Sequence, residues 1–331
     1  MPRTSVICVS YRGAEDTIAC VRSLLQSTVP VRIVVVDTTP NDPDLERGLL
    51  FAPDVVLLRA TENVGFGRGN NFGIEHELEH STSEFLFLLN NDAPICPESI
   101  ERLEAAMAAH LDVGIMVPRI VRLDDPARLW YGGGEIDWRR ASAFTPGYNG
   151  DAQAPLALAE RDVTFATGCA LFIRRAAAER LGGFDPRFFM YEEDVEFCLR
   201  ARENGIRIRY IPGSLVLHRV QGSSRDGHED RGNFWSVKNP RLPFYAFHVM
   251  RNRLLNISLH ARGWDRMTAV VFFPLMVVRR AVPFMLGRRF DAVTAMFKGM
   301  ADFWRTRRTA TADTCCASRK RSNHDATRPL Q

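Results

Sequence analysis

Apolar positions in the first half of the chain follow two alternating patterns. Short runs dense in aliphatic residues recur as SVICVSY (5–11), VRIVVVD (31–37), DVVLLRA (54–60), EFLFLLNND (84–92) and VGIMVPRIV (113–121). Runs with so little polar alternation predict strands covered on both faces. Between them the apolar spacing shifts to three and four. Ala14–Gln26 carries Ile18, Val21, Leu24 and Leu25 in helical register, and helices are also predicted over Arg68–His80 and Pro97–His110, the last opening on Pro-Glu-Ser. Repeated strand–helix units predict an α/β fold with a largely parallel sheet and helices on both faces. In such sheets ligands bind outside the carboxyl ends of the strands, which directs attention to Asp37, Asn63 and Asn90-Asn91-Asp92.

The second half keeps the pattern less strictly. Residues 130–162 are rich in Gly, Pro and Ala and read as an excursion from the sheet. TFATGCALFIRR (164–175) returns to strand character, Val195–Asn204 is an amphipathic helix, and IRIRYIPGSLVLH (206–218) is a strand interrupted at Pro212-Gly213. Residues 267–278 form an uncharged stretch, MTAVVFFPLMVV, shorter than the roughly 20 residues of a spanning helix, closed by Arg279-Arg280 and broken by Pro274 and Pro283. Beyond it Phe290, Val293, Phe297, Met300 and Trp304 recur at helical spacing among Arg288, Arg289, Lys298 and Arg305. A basic amphipathic stretch with aromatic residues suits a helix lying in a membrane interface, or one packed on the main domain or on a partner. From about Thr309 the chain is polar and irregular and reads as a disordered tail.

Composition narrows the class. With 331 residues, 46% hydrophobic and 25% charged, the chain is neither collagenous, coiled-coil nor wholly disordered. Its seven cysteines form no CxxC pair, so neither a zinc ribbon nor a disulfide framework is predicted. Met1-Pro2-Arg3-Thr4 runs straight into the first strand, which predicts no secretory leader and a reducing, cytoplasmic setting. The net charge of +4 is uneven. Residues from Arg251 onward hold 16 Lys and Arg against 5 Asp and Glu, whereas the preceding body holds 27 against 34. An acidic body argues against a nucleic-acid partner, and a basic C-terminal part leaves phospholipid as one.

Four segments could carry chemistry. ENVGFGRGNN (62–71) has glycines at 65, 67 and 69 that permit close backbone approach to a ligand, though it matches neither a dinucleotide fingerprint nor a P-loop, and it equally suits a turn capped by Asn. NNDA (90–93) could hold a hard divalent cation together with substrate phosphates, or simply cap a turn before Pro94. In GGFDPRFFMYEEDVEFCLRAR (182–202), Glu192, Glu193 and Asp194 open a helix; their charge suits its dipole, and one of them could serve as a general base. His218, followed by QGSS, ends a strand where an imidazole could complete a metal site or touch a phosphate; a hydrogen-bonded structural role is the alternative.

In this order the segments resemble the family-2 inverting glycosyltransferases of the GT-A fold, in particular bacterial rhamnosyltransferase-like members. The resemblance runs from about Ser5 to His260 and rests on VICVSY, VVVD ending at Asp37, ENVGFGRGNN, FLFLLNNDA, TGCALFIRR with GGFDPRFFMYEEDVEFCLR, the HxxxGSS at His218 and MRNRLL from Met250. It implies a Rossmann-like GT-A catalytic domain over 1–260; after it, the charge and aromatic pattern gives a basic amphipathic helical region over 261–308, expected at a membrane surface, and a disordered tail over 309–331. It implies that Asp37 contacts the donor base and that Ser10, Asn63, Gly65, Arg68, Asn70 and Asn91 line the nucleotide-sugar pocket. Asn90 and Asp92 occupy the metal motif, with Asn in place of its first Asp, and His218 helps hold Mn2+ or Mg2+ or the diphosphate. Asp194 matches the catalytic base, with Glu193 beside it. Thr38-Thr39-Pro40 departs from the usual Asn-Gly/Ser pattern after Asp37. The implied activity is transfer of a sugar, L-rhamnose from dTDP-rhamnose as first choice and UDP-sugars such as UDP-galactofuranose as alternatives, to a glycan or lipid-linked acceptor of cell-surface polysaccharide at the inner face of the cytoplasmic membrane. A non-catalytic sugar-nucleotide-binding or scaffolding protein of the same fold is the other class; Asn90 favours it, and Asp92, Asp194 and His218 argue against it.

Overall fold

The computed structural model describes residues 2–39, 42–220 and 234–324, with side chains as far as residue 307. The first half runs β1 (Thr4–Ser10), α1 (Ala14–Leu24), β2 (Val31–Asp37), α2 (Pro43–Gly48), β3 (Val56–Arg59), α3 (Phe66–His80), β4 (Phe85–Asn90), α4 (Ser99–Ala109) and β5 (Val113–Arg122). Short elements follow: β6 (Leu129–Tyr131), β7 (Glu135–Asp137), β8 (Ser142–Phe144), α5 (Pro155–Leu158), β9 (Arg161–Asp162), β10 (Ala170–Arg174) and α6 (Arg175–Leu181). The chain continues through α7 (Glu193–Glu203), β11 (Arg207–His218), α8 (Leu242–His260), α9 (Gly263–Leu286) and α10 (Phe290–His324).

The main sheet has the order β3-β2-β1-β4-β10-β5-β11-β9, with β6 beside β5. β3, β2, β1 and β4 are mutually parallel, as the apolar runs predict. β10 is inserted antiparallel between β4 and β5, and β11 runs parallel to β5. Two reversals about β10 restore the direction, so β1, β2, β4, β5 and β11 all bring their carboxyl ends to one edge. β10 starts from that same edge. Its position explains the run of apolar side chains in it and its neighbours: Leu86, Phe87, Leu88, Leu171, Phe172 and Ile173 are fully buried. β11 shifts register between Ile211 and Leu215, at the Pro212-Gly213 break, because Pro212 has no N–H for the ladder.

The 130–162 segment is only partly an excursion. β6 and β9 join the main sheet at β5 and β11, and only the β7–β8 hairpin stands apart. Three-residue strands leave too short a pattern to read in sequence.

α8, α9 and α10 share a second apolar cluster. Leu242, Ala246, Val249 and Met250 of α8 meet Ala269, Phe273, Val277, Ala281 and Phe284 of α9 and Ala292 and Met296 of α10. The α9 positions recur every three or four residues, so one stripe along nearly its whole length is buried, each Phe or Val contributing about 1.5–3 kcal/mol. Two expectations are corrected here. Pro274 and Pro283 do not break α9, which continues through both for 24 residues; the carbonyls they deprive of a donor belong to residues 270 and 279, both exposed. The tail expected from Thr309 is helical as far as His324, over a stretch free of Gly and Pro. Residues 325–331 lie outside the described residues.

Candidate active site

A cleft of about 1040 Å3 opens along the shared strand edge. One wall is the β1–α1 turn with Tyr11 and Arg12, then Thr38, Asn63 and Gly65; the floor carries Asn90, Asn91 and Asp92; the other wall carries Thr167, Gly168, Cys169, Glu193, Asp194 and His218. Phe234, Lys238, Arg241, Phe244 and Tyr245 form its outer rim.

The glycine-rich segment is shaped by its backbone. Asn63 Oδ1 accepts from the Gly65 N–H at 3.0 Å and folds the turn that starts α3. Gly65 has φ of +83°, and a Cβ there would stand 2.1 Å from the Phe189 carbonyl oxygen. The neighbouring Phe66 N–H donates to that same carbonyl at 3.1 Å. Only glycine satisfies both the dihedral and the close approach, so Gly65 fastens the first wall to the 184–190 loop.

At the end of β4, His218 Nε2 lies 3.2 Å from Asp92 Oδ1, with both side chains more than nine-tenths buried. Trp130 stands edge-on to the imidazole, ring centres 4.3 Å apart, and fixes its plane. Nδ1 of the ring is buried without a hydrogen-bond partner among the described residues. Burial disfavours a charged ring, but Cys169 and Asp92 outweigh it and raise the His218 pKa well above its ordinary value. Sites for Mn2+ or Mg2+ at phosphates use one or two protein carboxylates and leave other positions to phosphate oxygens and water. Asp92 and His218 offer one carboxylate and one imidazole, and no cluster of three or more His, Cys, Asp or Glu side chains suited to a metal occurs among the described residues. The donor set fits a cation that shares its coordination with a diphosphate.

Glu193 and Asp194, which line the same cleft, start α7. Tyr191 and Glu192 precede them with φ of +66° and +67°, a left-handed pair that L-residues adopt only under constraint. The constraint comes from α8. Asn252 Nδ2 donates to the carbonyls of Met190 at 3.0 Å and Tyr191 at 2.6 Å, and Asn256 Nδ2 to that of Glu192 at 3.2 Å. Arg253 donates to the Glu192 carboxylate at 2.8 Å and to Ser142 Oγ at 2.8 Å. The turn so held aims Asp194 at the start of β10, where its Oδ2 accepts from the Gly168 N–H at 3.0 Å. Burial raises the Asp194 carboxyl to about 6 against the opposing Gly168 hydrogen bond. Burial, followed by the charge of Asp194, lifts Glu193 well above the carboxylate range. Two adjacent carboxyls are thus pushed apart, Glu193 toward the neutral acid and Asp194 toward a base ready at neutral pH. The two halves of the site meet at consecutive residues: Gly168 holds Asp194, while the Cys169 thiol feels the charges of His218, Asp92 and Asp194.

The fold therefore brings together Asn63, Gly65, Asn90, Asn91, Asp92, Glu193, Asp194 and His218. Asn91 is also structural, its Nδ2 donating to Thr17 Oγ1 at 2.9 Å. Four expected pocket residues do not line the cleft. Ser10 accepts from Thr17 Oγ1, buried beneath the first wall. Asp37 is buried and caps the Thr39 N–H at 2.8 Å, leaving Thr38 at the surface of the cleft. Asn70 Nδ2 bonds the Phe66 carbonyl within α3, and Arg68 reaches away to the Pro186 carbonyl. For Asp37, Asn70 and Arg68 a nearby backbone group satisfies the polar side chain, and for Ser10 the Thr17 hydroxyl does. The QGSS after His218 and Pro40 lie outside the described residues. Trp130 and Gly168 were not singled out from sequence, and Asn252 and Arg253 were visible only as part of MRNRLL.

Over residues 2–238 the chain matches the model of the family described as "Glycosyltransferase like family 2". It is 28% identical to the N-acetylglucosaminyl-diphospho-decaprenol L-rhamnosyltransferase of Mycobacterium tuberculosis over 242 residues, covering 67% of this chain and 78% of that protein. It is 28% identical over 280 residues to the low-salt glycan biosynthesis hexosyltransferase Agl10 of Haloferax volcanii, covering 83% of each. Among solved structures, the mannosyltransferase PcManGT of Pyrobaculum calidifontis, in complex with GDP-Man and Mn2+, superposes with a TM-score of 0.54 at 15% identity, covering 92% of this chain and 87% of that one. That similarity shows a common fold.

Proposed function

The chain belongs to the glycosyltransferase-like family 2 and is a glycosyltransferase, and from that premise we propose that it transfers a sugar, with inversion, from a nucleotide-sugar donor to a hydroxyl of a lipid-linked glycan in cell-surface polysaccharide synthesis. The donor read as best is dTDP-L-rhamnose, a choice supported by the rhamnosyltransferase relatives. The reaction belongs on the cytoplasmic side of the membrane, where a lipid-linked acceptor meets a soluble donor.

The observation that carries this reading is the convergence of two groups on one cleft: the Asp92–His218 pair, and Asp194, held by the Gly168 N–H. Asp194 removes the proton from the acceptor hydroxyl as its oxygen bonds to the anomeric carbon. The bond from that carbon to the diphosphate oxygen breaks on the opposite face, and the nucleoside diphosphate leaves with the electron pair. A single displacement needs one carboxylate base, whereas a retaining double displacement uses a second carboxylate as nucleophile. Glu193, held toward its neutral form, does not supply that second charge. Gly168 keeps Asp194 aligned through its N–H, and the clamp from α8 holds the turn at 190–192 that precedes it. Asp92 and His218, with Asn90 alongside, would hold a Mn2+ or Mg2+ ion, which would offset the negative charge that grows on the departing diphosphate. Asn63 and Gly65 position the donor, and holding both substrates in one cleft supplies much of the remaining acceleration.

The test is a donor panel of dTDP-, UDP- and GDP-sugars with Mn2+, assayed on a lipid-linked glycan acceptor, with product stereochemistry read by NMR. Turnover of one donor class with inversion is the expected result. Retention of configuration overturns the assignment of Asp194, and hydrolysis with no transfer to any acceptor overturns the transferase reading.

A further inference from the structure

α9 is apolar on two opposite faces, and only one of them is covered. Ala269, Phe273, Val277, Ala281 and Phe284 pack on α8 and α10. On the far side Val271, Leu275, Val278 and Val282 follow one another at spacings of four, three and four, and Leu275 and Val271 are 60% and 63% exposed. Trp264 and Leu286 extend this outer stripe to both ends of the helix. By length and composition α9 could cross a bilayer. Crossing would strip the buried stripe from its partners on α8 and α10, so the geometry admits a helix lying on a membrane and opposes one passing through it. Charge fits the same arrangement. Arg266 and Arg279 bracket the uncharged run, Arg288 and Lys298 follow it, and Asp265 is the sole acidic residue of α9. A row of exposed aliphatic side chains framed by arginines matches a surface of anionic phospholipid, in which the apolar stripe enters the acyl boundary and the guanidiniums meet phosphates.

This face also adjoins the rim of the cleft. The Arg289 guanidinium, at the α9–α10 corner, donates to the carbonyls of Val237 at 2.6 Å and Asn239 at 2.9 Å. Gly287 packs against the Val237 side chain, at a separation of 2.9 Å from where its own Cβ would stand. The turn held in this way carries Lys238 and Arg241 into the cleft.

We propose that the outer face of α9 is a monotopic docking surface for an anionic bilayer, and that it seats the Lys238–Arg241 rim at the lipid headgroups so that the acceptor enters the cleft from the membrane. The acceptor half of this statement rests on the glycosyltransferase reading above; the docking half does not.

The test uses the full chain with vesicles of phosphatidylcholine alone or with 30 mol % phosphatidylglycerol. The expected result is co-sedimentation with the anionic vesicles, weakened at least tenfold between 50 and 500 mM NaCl and by Leu275→Glu and Val271→Glu, with full release by carbonate at pH 11. Both substitutions sit on exposed positions, and circular dichroism and the melting temperature should stay unchanged. Transfer to a short-chain, water-soluble acceptor should survive them, while transfer to a long-chain acceptor in vesicles falls. Resistance to carbonate extraction overturns the monotopic arrangement. A full chain that is dimeric without lipid, becomes monomeric in Leu275→Glu and ignores vesicles makes the face a self-association surface and overturns lipid docking. Loss of transfer to every acceptor with intact vesicle binding counts against the catalytic reading alone; equal loss on soluble and vesicle acceptors overturns delivery from the membrane.

Discussion

Arg253 of α8 donates through Nε to the Glu192 carboxylate at 2.8 Å, and both side chains are less than a tenth exposed. The pair joins a helix outside the sheet to the turn that delivers Asp194, the base proposed above. Removing one member of a buried pair strands the other charge, which typically costs about 3–5 kcal/mol. Arg253→Met is therefore expected to lower stability by that order in urea unfolding and to reduce kcat. Glu192→Gln combined with Arg253→Met should recover part of the stability, since no buried carboxylate remains unpaired. Full additivity of the two single changes would show that the pair is not coupled.

Asp194→Asn separates catalysis from binding. The amide keeps the shape of the side chain and an oxygen for the Gly168 N–H but accepts no proton from the acceptor. A loss of about 10²–10⁴-fold in kcat is expected, with nucleoside diphosphate affinity unchanged by calorimetry. Near-normal turnover would remove Asp194 as the base.

The same group ties stability to pH, and the sign is opposite to that of a salt-bridged carboxylate. Its pKa is raised from 3.8 to about 6 in the fold, so the native state holds the proton more tightly than the unfolded chain. Its contribution to stability is complete below about pH 4 and is lost as pH rises through 6. At pH 7 the wild type carries the cost of a charged, largely buried carboxylate, and Asp194→Asn does not. The variant should melt higher than wild type at pH 7, by about 2–4 °C if the partly exposed group accounts for about 1 kcal/mol, and equally at pH 4. In the wild type, kcat should rise with pH along an acid limb centred near 6 as Asp194 becomes a base.

Gly65→Ala tests whether the first wall depends on its close approach to the 184–190 loop. The substitution meets both a φ of +83° and the Phe189 carbonyl. Strain of this kind costs about 1–3 kcal/mol before the clash is added. The melting temperature should fall, and donor affinity should fall with it because Asn63 and Phe66 are anchored through the same turn. Unchanged donor affinity in a folded variant would detach this turn from the nucleotide-sugar site.

The parts of this site that were legible in the sequence are those fixed by strand pattern. Continuous apolar runs located β1, β2, β4 and β5, and the polar residues that end β4 and the strand-like run over 206–218 reached the cleft edge as Asn90, Asp92 and His218. The orientation of β10 was not legible, because an apolar run carries no direction. Nor could sequence separate the amides of GRGNN that face a ligand from those that hold the fold. Asn71 bonds both the carbonyl and the N–H of Phe184, and Asn70 bonds within its own helix. A polar side chain satisfied by distant backbone looks the same in sequence as one awaiting substrate. The clamp of Asn252, Arg253 and Asn256 on residues 190–192 escaped notice for the same reason: its partners lie some sixty positions earlier in the chain.

Asp92 and His218 face each other closely enough to share a cation, and each has a distinct expected phenotype. Asp92→Ala removes the only carboxylate of the pair and leaves His218 without its charged partner. Nucleoside diphosphate affinity measured with Mn2+ should then fall at least tenfold, about 1.4 kcal/mol, to the value measured with chelator, and the two titrations should coincide. His218→Ala keeps the carboxylate, so a weaker response to Mn2+ should persist at higher metal concentration. Trp130→Leu, which frees the imidazole plane, should raise the Mn2+ concentration needed for half-maximal rate while leaving the rate at saturating metal close to wild type. If affinity for the diphosphate is the same with and without Mn2+ in the wild type, the pair is a structural hydrogen bond at the end of β11 and metal assistance is excluded from this site.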